Sequence, residues 1–341
     1  MDHGGAFDRF APAIIKVYRR DPDAFWAAVM APFLAADFSL LTWLQHLKVD
    51  LELLAAFQGL DDEARQVLRD FGGRLGLDVT NWKSNRLQYF KDAYPVFAFL
   101  AVWMEAEGLD DYVARFGDIL RAGVFAVAGY GILDANVDSN TPSPVELLTA
   151  QALIAEYETR ALNLFGVSPA NLAILHRMRT LFLEAEIREK AARWQTSPYR
   201  LDNPKELGAK GANSVTPFML SLERLGKAHL IDDYWEVFLL FGAAIQMIDD
   251  WQDLEGDLAA GHYSYVTLGL DGPRDLKDPR AAARRLRADQ PRLRKTYARA
   301  QEMIGQSRAI LDKLDDRYLG RLVDVTELRL NRYFHHDLKM A

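Results

Sequence analysis

Apolar residues recur along the chain at three- and four-residue spacing, which is typical of amphipathic helices. The stretches "FWAAVMAPFLAADFSLLTWLQHL" (25–47) and "SPVELLTAQALIAEYETRALNLF" (143–165) have this spacing, whereas alternating strand patterns are scarce. The pattern therefore predicts an all-α protein.

Breaks between helices are predicted where glycine, proline and polar residues accumulate. These places are Gly72-Gly73 and the segments 139–144, 197–208 and 268–280. None of them is long enough to be a domain linker. We therefore predict one domain over residues 1–341, with a flexible start at residues 1–8.

Adjacent aspartates occur five times, and most of these pairs need no functional explanation. Four pairs stand where a helix is predicted to begin, where carboxylates cap free amides and meet the positive end of the helix dipole. These four are Asp61-Asp62, Asp110-Asp111, Asp232-Asp233 and Asp315-Asp316. Similarly, the arginine-rich stretch 280–295 is predicted to be a solvated helix face.

The fifth pair, Asp249-Asp250, follows an apolar run from Val237 to Ile248, so it falls late in a buried helix where capping does not explain it. Helical spacing places Asp249 and Asp253 on one face, with Gln246 one turn earlier. Carboxylates this close repel each other, so a cation is expected between them.

A second acidic pair repeats this arrangement. Asp134 and Asp138 stand four residues apart at the end of the apolar segment 129–140. Alone, this pair could equally be a solvated helix end. Two such pairs facing each other predict a shared site for a hard cation, Mg²⁺ before Ca²⁺. Several Mg²⁺ ions between two carboxylate clusters suit a substrate that is itself negatively charged, such as a diphosphate.

Composition narrows the class of protein. The formal net charge of −7 argues against a nucleic-acid-binding surface as the main activity. The absence of cysteine excludes disulfides, thiolate metal sites and cysteine nucleophiles. The start of the chain lacks the pattern of a signal peptide, so a cytoplasmic location is expected. The longest apolar run, 122–133, is shorter than the roughly 18 residues of a membrane span, so it predicts a buried helix and no stable membrane insertion.

The segment "IQMIDDWQDLEGDLAAGHYSYVTL" (245–268) resembles the second aspartate-rich motif of trans-prenyl diphosphate synthases, FQxxDDxxD. Lys210, in "GAKGANSVTPFML" (208–220), falls on the lysine that contacts diphosphate in those enzymes. Asp134 and Asp138 fall on the first and fifth positions of their first aspartate-rich motif, with Ala135 in place of the second Asp. The likeness covers residues 80 to 270.

This resemblance implies a single large helical bundle of the isoprenoid (terpenoid) synthase type with a central active-site cavity. It also implies three Mg²⁺ ions and ionisation of an allylic diphosphate to a carbocation.

The departures from the family pattern favour a cyclase over a chain-elongating enzyme. The arginine pair that follows the first motif in elongating members is missing from 139–148. Of the motif that binds isopentenyl diphosphate, only two basic residues at plausible spacing, Lys83 and Arg86, are present. His262 replaces the lysine that follows the second motif. It is either a ligand contact or a turn histidine.

The sequence therefore predicts a class I terpene synthase that acts on a linear prenyl diphosphate, with C15 or C20 favoured. Mg²⁺ ligands and catalytic residues are Asp134, Asp138, Asp249 and Asp253, and Lys210 steadies the departing diphosphate. The predicted substrate-binding residues are Gln246, Asp250, Tyr130, His262 and Arg332. A homodimer is possible.

Two of these assignments have plain structural alternatives. Tyr130, one turn before Asp134, is either a pocket wall that limits chain length or an ordinary core tyrosine. Arg332, which with Tyr333 resembles an Arg-Tyr pair of many cyclases, also fits an ordinary helix end. The rival functions are a chain-elongating prenyltransferase and a non-catalytic subunit that binds prenyl diphosphates.

Overall fold

The computed structural model describes residues 5–23, 25–26, 59–82, 94–139, 141–195, 197–200, 203–270 and 277–340. Within these ranges the regular structure is helical and contains no strand, which confirms the all-α prediction. Most of the stretch 25–47, and Lys83 and Arg86, lie outside the described residues. The chain clusters into two compact units, Met1–Leu172 with Glu223–Leu225, and Ala173–Leu222 with Gly226–Ala341. The prediction of a single domain stays a prediction.

The first unit is organised around a long apolar helix. Its helices are α1 Ala6–Arg20, α2 Leu60–Leu75, α3 Tyr94–Ala106, α4 Asp110–Ala114, α5 Phe116–Asp138 and α6 Pro144–Phe165. Helix α5 packs against α1, α2 and α6. The apolar run 122–133 lies inside α5 and most of its residues are buried, as predicted.

Helix α5 is also, among the described residues, long and apolar enough to cross a membrane by length and composition. Its most apolar window is 67% buried inside the protein, as is usual for a core helix.

Part of the start that was predicted to be flexible, residues 6–8, is helical. Helix α1 begins at Ala6, and Phe7 is fully buried. The Phe7 amide donates to Glu63 Oε2 at 2.9 Å, and Arg121 on α5 donates to both Asp8 (2.9 Å) and Glu63 (2.8 Å). Residues 6–8 are therefore the first turn of a packed helix, because the aromatic ring and these charges anchor it.

The helix break predicted at Gly72-Gly73 is wrong. Helix α2 continues through both glycines and ends at Leu75, with Gly76 (φ +69°) as its C-cap residue. A Cβ on Gly72 would lie 2.4 Å from the Leu77 carbonyl oxygen. The absence of a side chain at Gly72 therefore lets the chain after the helix pack against it at Leu77.

The second unit is built around α10. Its helices are α7 Pro169–Ala192, α8 Lys205–Gly208, α9 Thr216–Arg224, α10 Ile231–Gln252, α11 Leu254–Ala260, α12 Pro279–Ala288, α13 Gln290–Leu314 and α14 Arg317–Arg332. The first four residues of α7 and the last two of α9 belong to the first unit. Helix α10 packs against α8, α13 and α14, and the three-residue 3₁₀ turn Tyr265–Thr267 also contacts it.

Seven of these eight aspartates lie at helix starts as predicted, whereas Asp315 is the C-cap residue of α13. Asp61-Asp62, Asp110-Asp111 and Asp232-Asp233 stand in the first turns of α2, α4 and α10. Asp316 caps α14 by accepting the Leu319 amide at 3.0 Å.

The arginine-rich stretch is not a single solvated face. It divides at Asp289 between α12 and α13. Although Arg280, Arg284 and Arg285 are exposed, Arg292 is half-buried and donates to the carbonyl oxygens of Val266 (2.7 Å) and Leu268 (2.8 Å). Arg292 thus provides hydrogen-bond donors for two backbone carbonyl groups within the second unit.

Candidate active site

The second aspartate-rich segment stands at the C-terminal end of α10. Asp249 and Asp250 are in the last turn of this mostly buried helix, and Asp253 is its C-cap residue. Carboxylates at this end face the negative pole of the helix dipole, the opposite of a stabilising cap. The structure thus confirms that this pair is not a helix-start feature.

Asp249 and Asp250 have different surroundings. Asp250 is 5% exposed and accepts hydrogen bonds from the Tyr265 amide (3.1 Å) and from Gln246 Nε2 (3.3 Å). Burial, and then the nearby Glu189 carboxylate, raise the pKa of Asp250 well above its usual range. Asp249 is half-buried and accepts from Gln246 Nε2 at 3.2 Å. Asp250 therefore anchors the helix end to the 3₁₀ turn, while the Gln246 amide donates to both carboxylates.

A third acid continues the four-residue spacing. The Asp253 amide donates to the Asp249 carbonyl at 2.9 Å, and the Asp257 amide donates to the Asp253 carbonyl at 3.0 Å. Burial, followed by the Asp253 carboxylate, raises the pKa of Asp257 from 3.8 to about 7. The sequence reasoning missed Asp257, although the same spacing that selected Asp249 and Asp253 extends to it.

Lys210 lies beside these acids, in the 3₁₀ turn Ala209–Val215. Its Nζ donates to Glu189 Oε2 at 2.7 Å, and the Tyr199 hydroxyl donates to the other oxygen of Glu189. The Lys210 charge lowers the pKa values of Asp250 and Asp257, against the stronger effect of burial. Glu189, from α7, and Tyr199 match no motif, so only the folded chain reveals them.

A glycine sets the approach of the Lys210 segment to α10. A Cβ on Gly208 would lie 2.0 Å from the Leu239 carbonyl oxygen, which no side chain tolerates. The backbone of Gly208 therefore packs directly on α10. Lys210 follows this contact by two residues along the chain.

The C-terminal helix also places Arg329, which the sequence analysis did not single out, near these acids. Arg329 on α14 donates to Gln252 Oε1 at 3.2 Å. Burial lowers the pKa of the Arg329 guanidinium, and the Asp249 carboxylate acts in the opposite direction. Arg332 lies one turn further along α14, and its Nε is buried without a hydrogen-bond partner. The structure thus associates Arg329 with Asp249, and the substrate-binding role of Arg332 stays a prediction.

His262 follows α11 in a tightly tied loop. Its amide donates to the Asp257 carbonyl at 2.8 Å, and Gly261 before it has a φ of +77°. The Trp194 amide donates to the Gly261 carbonyl at 2.9 Å, and a Cβ on Gly261 would collide with the Trp194 ring. The backbone of His262 is therefore fixed to the backbone of Asp257. Both predicted roles of His262, a ligand contact or a turn histidine, stay predictions.

The first acidic pair lies in the first unit. Asp134 and Asp138 are half-buried in the last two turns of α5. Between them the buried Asn136 donates to Ile132 O (3.0 Å) and to Glu146 (2.8 Å), and its Oδ1 accepts the Ser143 amide at 2.8 Å. Asn136 thereby fixes the turn from α5 to α6.

Tyr130 is buried, at 3% exposure. A Cβ on its neighbour Gly129 would lie 2.9 Å from Ile154 Cγ1 on α6. Gly129 lets α5 and α6 pack closely. The pocket-wall and core readings of Tyr130 both remain predictions.

No protein-family model matches the chain, and no curated protein is significantly similar to it. Among the described residues, no group of three or more His, Cys, Asp or Glu side chains is placed to hold a metal ion. The site is therefore interpreted from its own residues: acids at 249, 253 and 257, Lys210 with Glu189 and Tyr199, and Arg329.

Proposed function

We propose that this chain is a Mg²⁺-dependent class I terpene synthase that ionises a linear allylic prenyl diphosphate. The observation that carries the proposal is the acidic end of α10. Asp249, Asp253 and Asp257 follow one another at helical spacing, and their mutual repulsion contributes to the raised pKa of Asp257. Such a cluster gains most from a bound cation.

The donor atoms fit Mg²⁺. The cluster offers carboxylate oxygens and lies within a chain that has no cysteine. Mg²⁺ is commonly held by one or two carboxylates together with waters and the phosphates of the substrate, rather than by a complete protein cage. In the proposal Asp134, Asp138, Asp249 and Asp253 are the Mg²⁺ ligands, and three ions are bound.

When bound, Mg²⁺ supplies Lewis-acid stabilisation of the charge that develops on the leaving diphosphate. Lys210 adds a positive charge to the same group. Glu189 and Tyr199 hold the Lys210 ammonium in place, and Gln246 fixes the direction of the Asp249 carboxylate. Such prepared charges lower the barrier because they need no rearrangement during the reaction.

The remaining assignments extend the proposal to the substrate. Tyr130 forms the wall of the hydrocarbon pocket, His262 and Arg332 contact the diphosphate, and Asp250 supports the site from inside. A C15 or C20 diphosphate is the favoured substrate. The protein acts in the cytoplasm without stable membrane insertion or nucleic-acid binding, as a monomer or a homodimer.

The test is an incubation of the purified protein and Mg²⁺ with C10, C15, C20 and C25 prenyl diphosphates, followed by mass spectrometry of the extract. A cyclic or linear terpene together with free diphosphate is expected. A parallel incubation contains isopentenyl diphosphate, which should not be incorporated because the arginine pair is missing from 139–148.

Two results would replace the proposal. Longer prenyl diphosphates in the parallel incubation would identify a chain-elongating prenyltransferase. Tight binding of a prenyl diphosphate without any product would identify a non-catalytic subunit.

A further inference from the structure

The acids at the end of α10 stand at an unfavourable place in the helix. The last carbonyl groups of a helix have no partner within it and carry its negative partial charge. Asp249 and Asp253 add their own negative charges at the same end. A rigid arrangement there requires hydrogen-bond donors and positive charge from elsewhere in the fold.

Arg287 on α12 supplies donors to the backbone. Its Nη2 lies 3.2 Å from the Trp251 carbonyl oxygen and 3.4 Å from that of Gln252. These two carbonyls immediately precede Asp253. The Trp251 side chain is fully buried, so this point of the helix is also anchored in the core.

Arg329 on α14 contacts the same residue through its side chain. Its Nη2 donates to Gln252 Oε1 at 3.2 Å, and its charge interacts with the Asp249 carboxylate. Arg287 thus binds the backbone carbonyl of Gln252, and Arg329 binds its side-chain oxygen. The two arginines come from helices that follow α10 in the second unit.

We propose that Arg287 and Arg329 are positioning residues that fix the end of α10 and thereby the directions of the Asp249 and Asp253 carboxylates. The inference deepens the proposed function, because these carboxylates are its candidate Mg²⁺ ligands. Neither arginine needs to touch the substrate. Partners that orient metal ligands typically change metal affinity by roughly 10- to 100-fold when they are removed.

The test uses Arg287→Gln and Arg329→Gln in the full chain, each with a control on the same helix. Arg284→Gln on α12 and Arg321→Gln on α14 remove exposed arginines of the same charge. Arg287→Lys and Arg329→Lys keep the positive charge without the planar guanidinium, and replace the Gln variants if those do not fold.

The first measurement is amide hydrogen exchange without metal or ligand. Both site variants should exchange faster over 249–257, while the controls match the wild type. The second measurement is calorimetric binding of Mg²⁺ with inorganic diphosphate. Affinity should fall about tenfold or more in the site variants, and less than about twofold in the controls.

The exchange result decides the inference. Unchanged exchange over 249–257 in both site variants would overturn it, even if metal binding were weaker. Faster exchange spread evenly over α13 and α14 would also overturn it, since that is a general loss of stability. A wild-type protein that does not bind Mg²⁺ with diphosphate would refute the proposed function, and the exchange comparison would still decide the positioning role.

Discussion

Replacing Asp257 by Asn should stabilise the protein at neutral pH and have little effect in acid. The pKa of the Asp257 carboxyl is raised from 3.8 to about 7, first by burial and then by the charge of Asp253. The folded chain therefore binds this proton more tightly than the unfolded chain does. As pH rises from about 4 to about 7, the unfolded state loses its proton first, so the folded state loses stability.

The size of the effect follows from the shift. Each pKa unit corresponds to about 1.4 kcal/mol, so the full shift corresponds to about 4 kcal/mol at most. Asp257 is only partly buried, and water and salt screen its neighbours. We therefore expect Asp257→Asn to be more stable than the wild type by about 1 to 3 kcal/mol above pH 7, and by close to nothing near pH 4.

The assay is urea unfolding of wild type and variant at several pH values between about 4.5 and about 8. Asp233→Asn is a suitable control, because Asp233 is exposed in the first turn of α10, where a carboxylate is favourable. Its effect should be small and of opposite sign. The Asp257 charge also contributes to the raised pKa of Asp250, so its removal relieves this repulsion as well and acts in the same direction. A stability difference that is the same at both ends of the pH range would refute the reasoning.

Four further predictions concern the proposed site and its support. EDTA should abolish diphosphate release and Mg²⁺ should restore it, so full turnover in chelator would exclude the metal mechanism. Asp134→Ala and Asp249→Ala should each lower turnover by orders of magnitude with an unchanged circular dichroism spectrum, and a loss of helical signal would indicate a structural role. Tyr130→Ala should admit a longer substrate or change the products, whereas a loss of about 3 to 5 kcal/mol with an unchanged product would place the ring in the core. Gly208→Ala should cost about 1 to 3 kcal/mol or more in thermal unfolding, because its Cβ would lie 2.0 Å from a carbonyl oxygen, and wild-type stability would contradict that contact.

The sequence predicts helices well where an apolar face and capping residues agree. Helix α10 begins with Asp232 and Asp233 and ends at the acids that the pattern singled out. The prediction failed at Gly72-Gly73 because glycine marks close contacts as well as breaks. Only the fold distinguishes the two, through the carbonyl of Leu77.

The candidate site also contains residues that the sequence predicts and residues that only the fold reveals. Gln246 and Asp249 are neighbours on one helix, so their interaction follows from spacing alone. Glu189, Tyr199 and Arg329 come from distant parts of the chain, and no local pattern links them to α10. The role of Arg332 rests on a two-residue likeness and stays a prediction, whereas Arg329, one turn before it, matches no motif.

The pairing of α5 with α6 also bears on how the chain folds. Only residues 139–143 separate the two helices, and Asn136 and Ser143 hydrogen-bond across this turn. Contacts between segments so close in sequence form early, because little chain entropy is lost in closing them. During synthesis α5 emerges as an apolar segment of 23 residues, which is a target for aggregation or for membrane-insertion machinery. The helix that covers it follows within about 30 residues, at a typical synthesis rate within a few seconds.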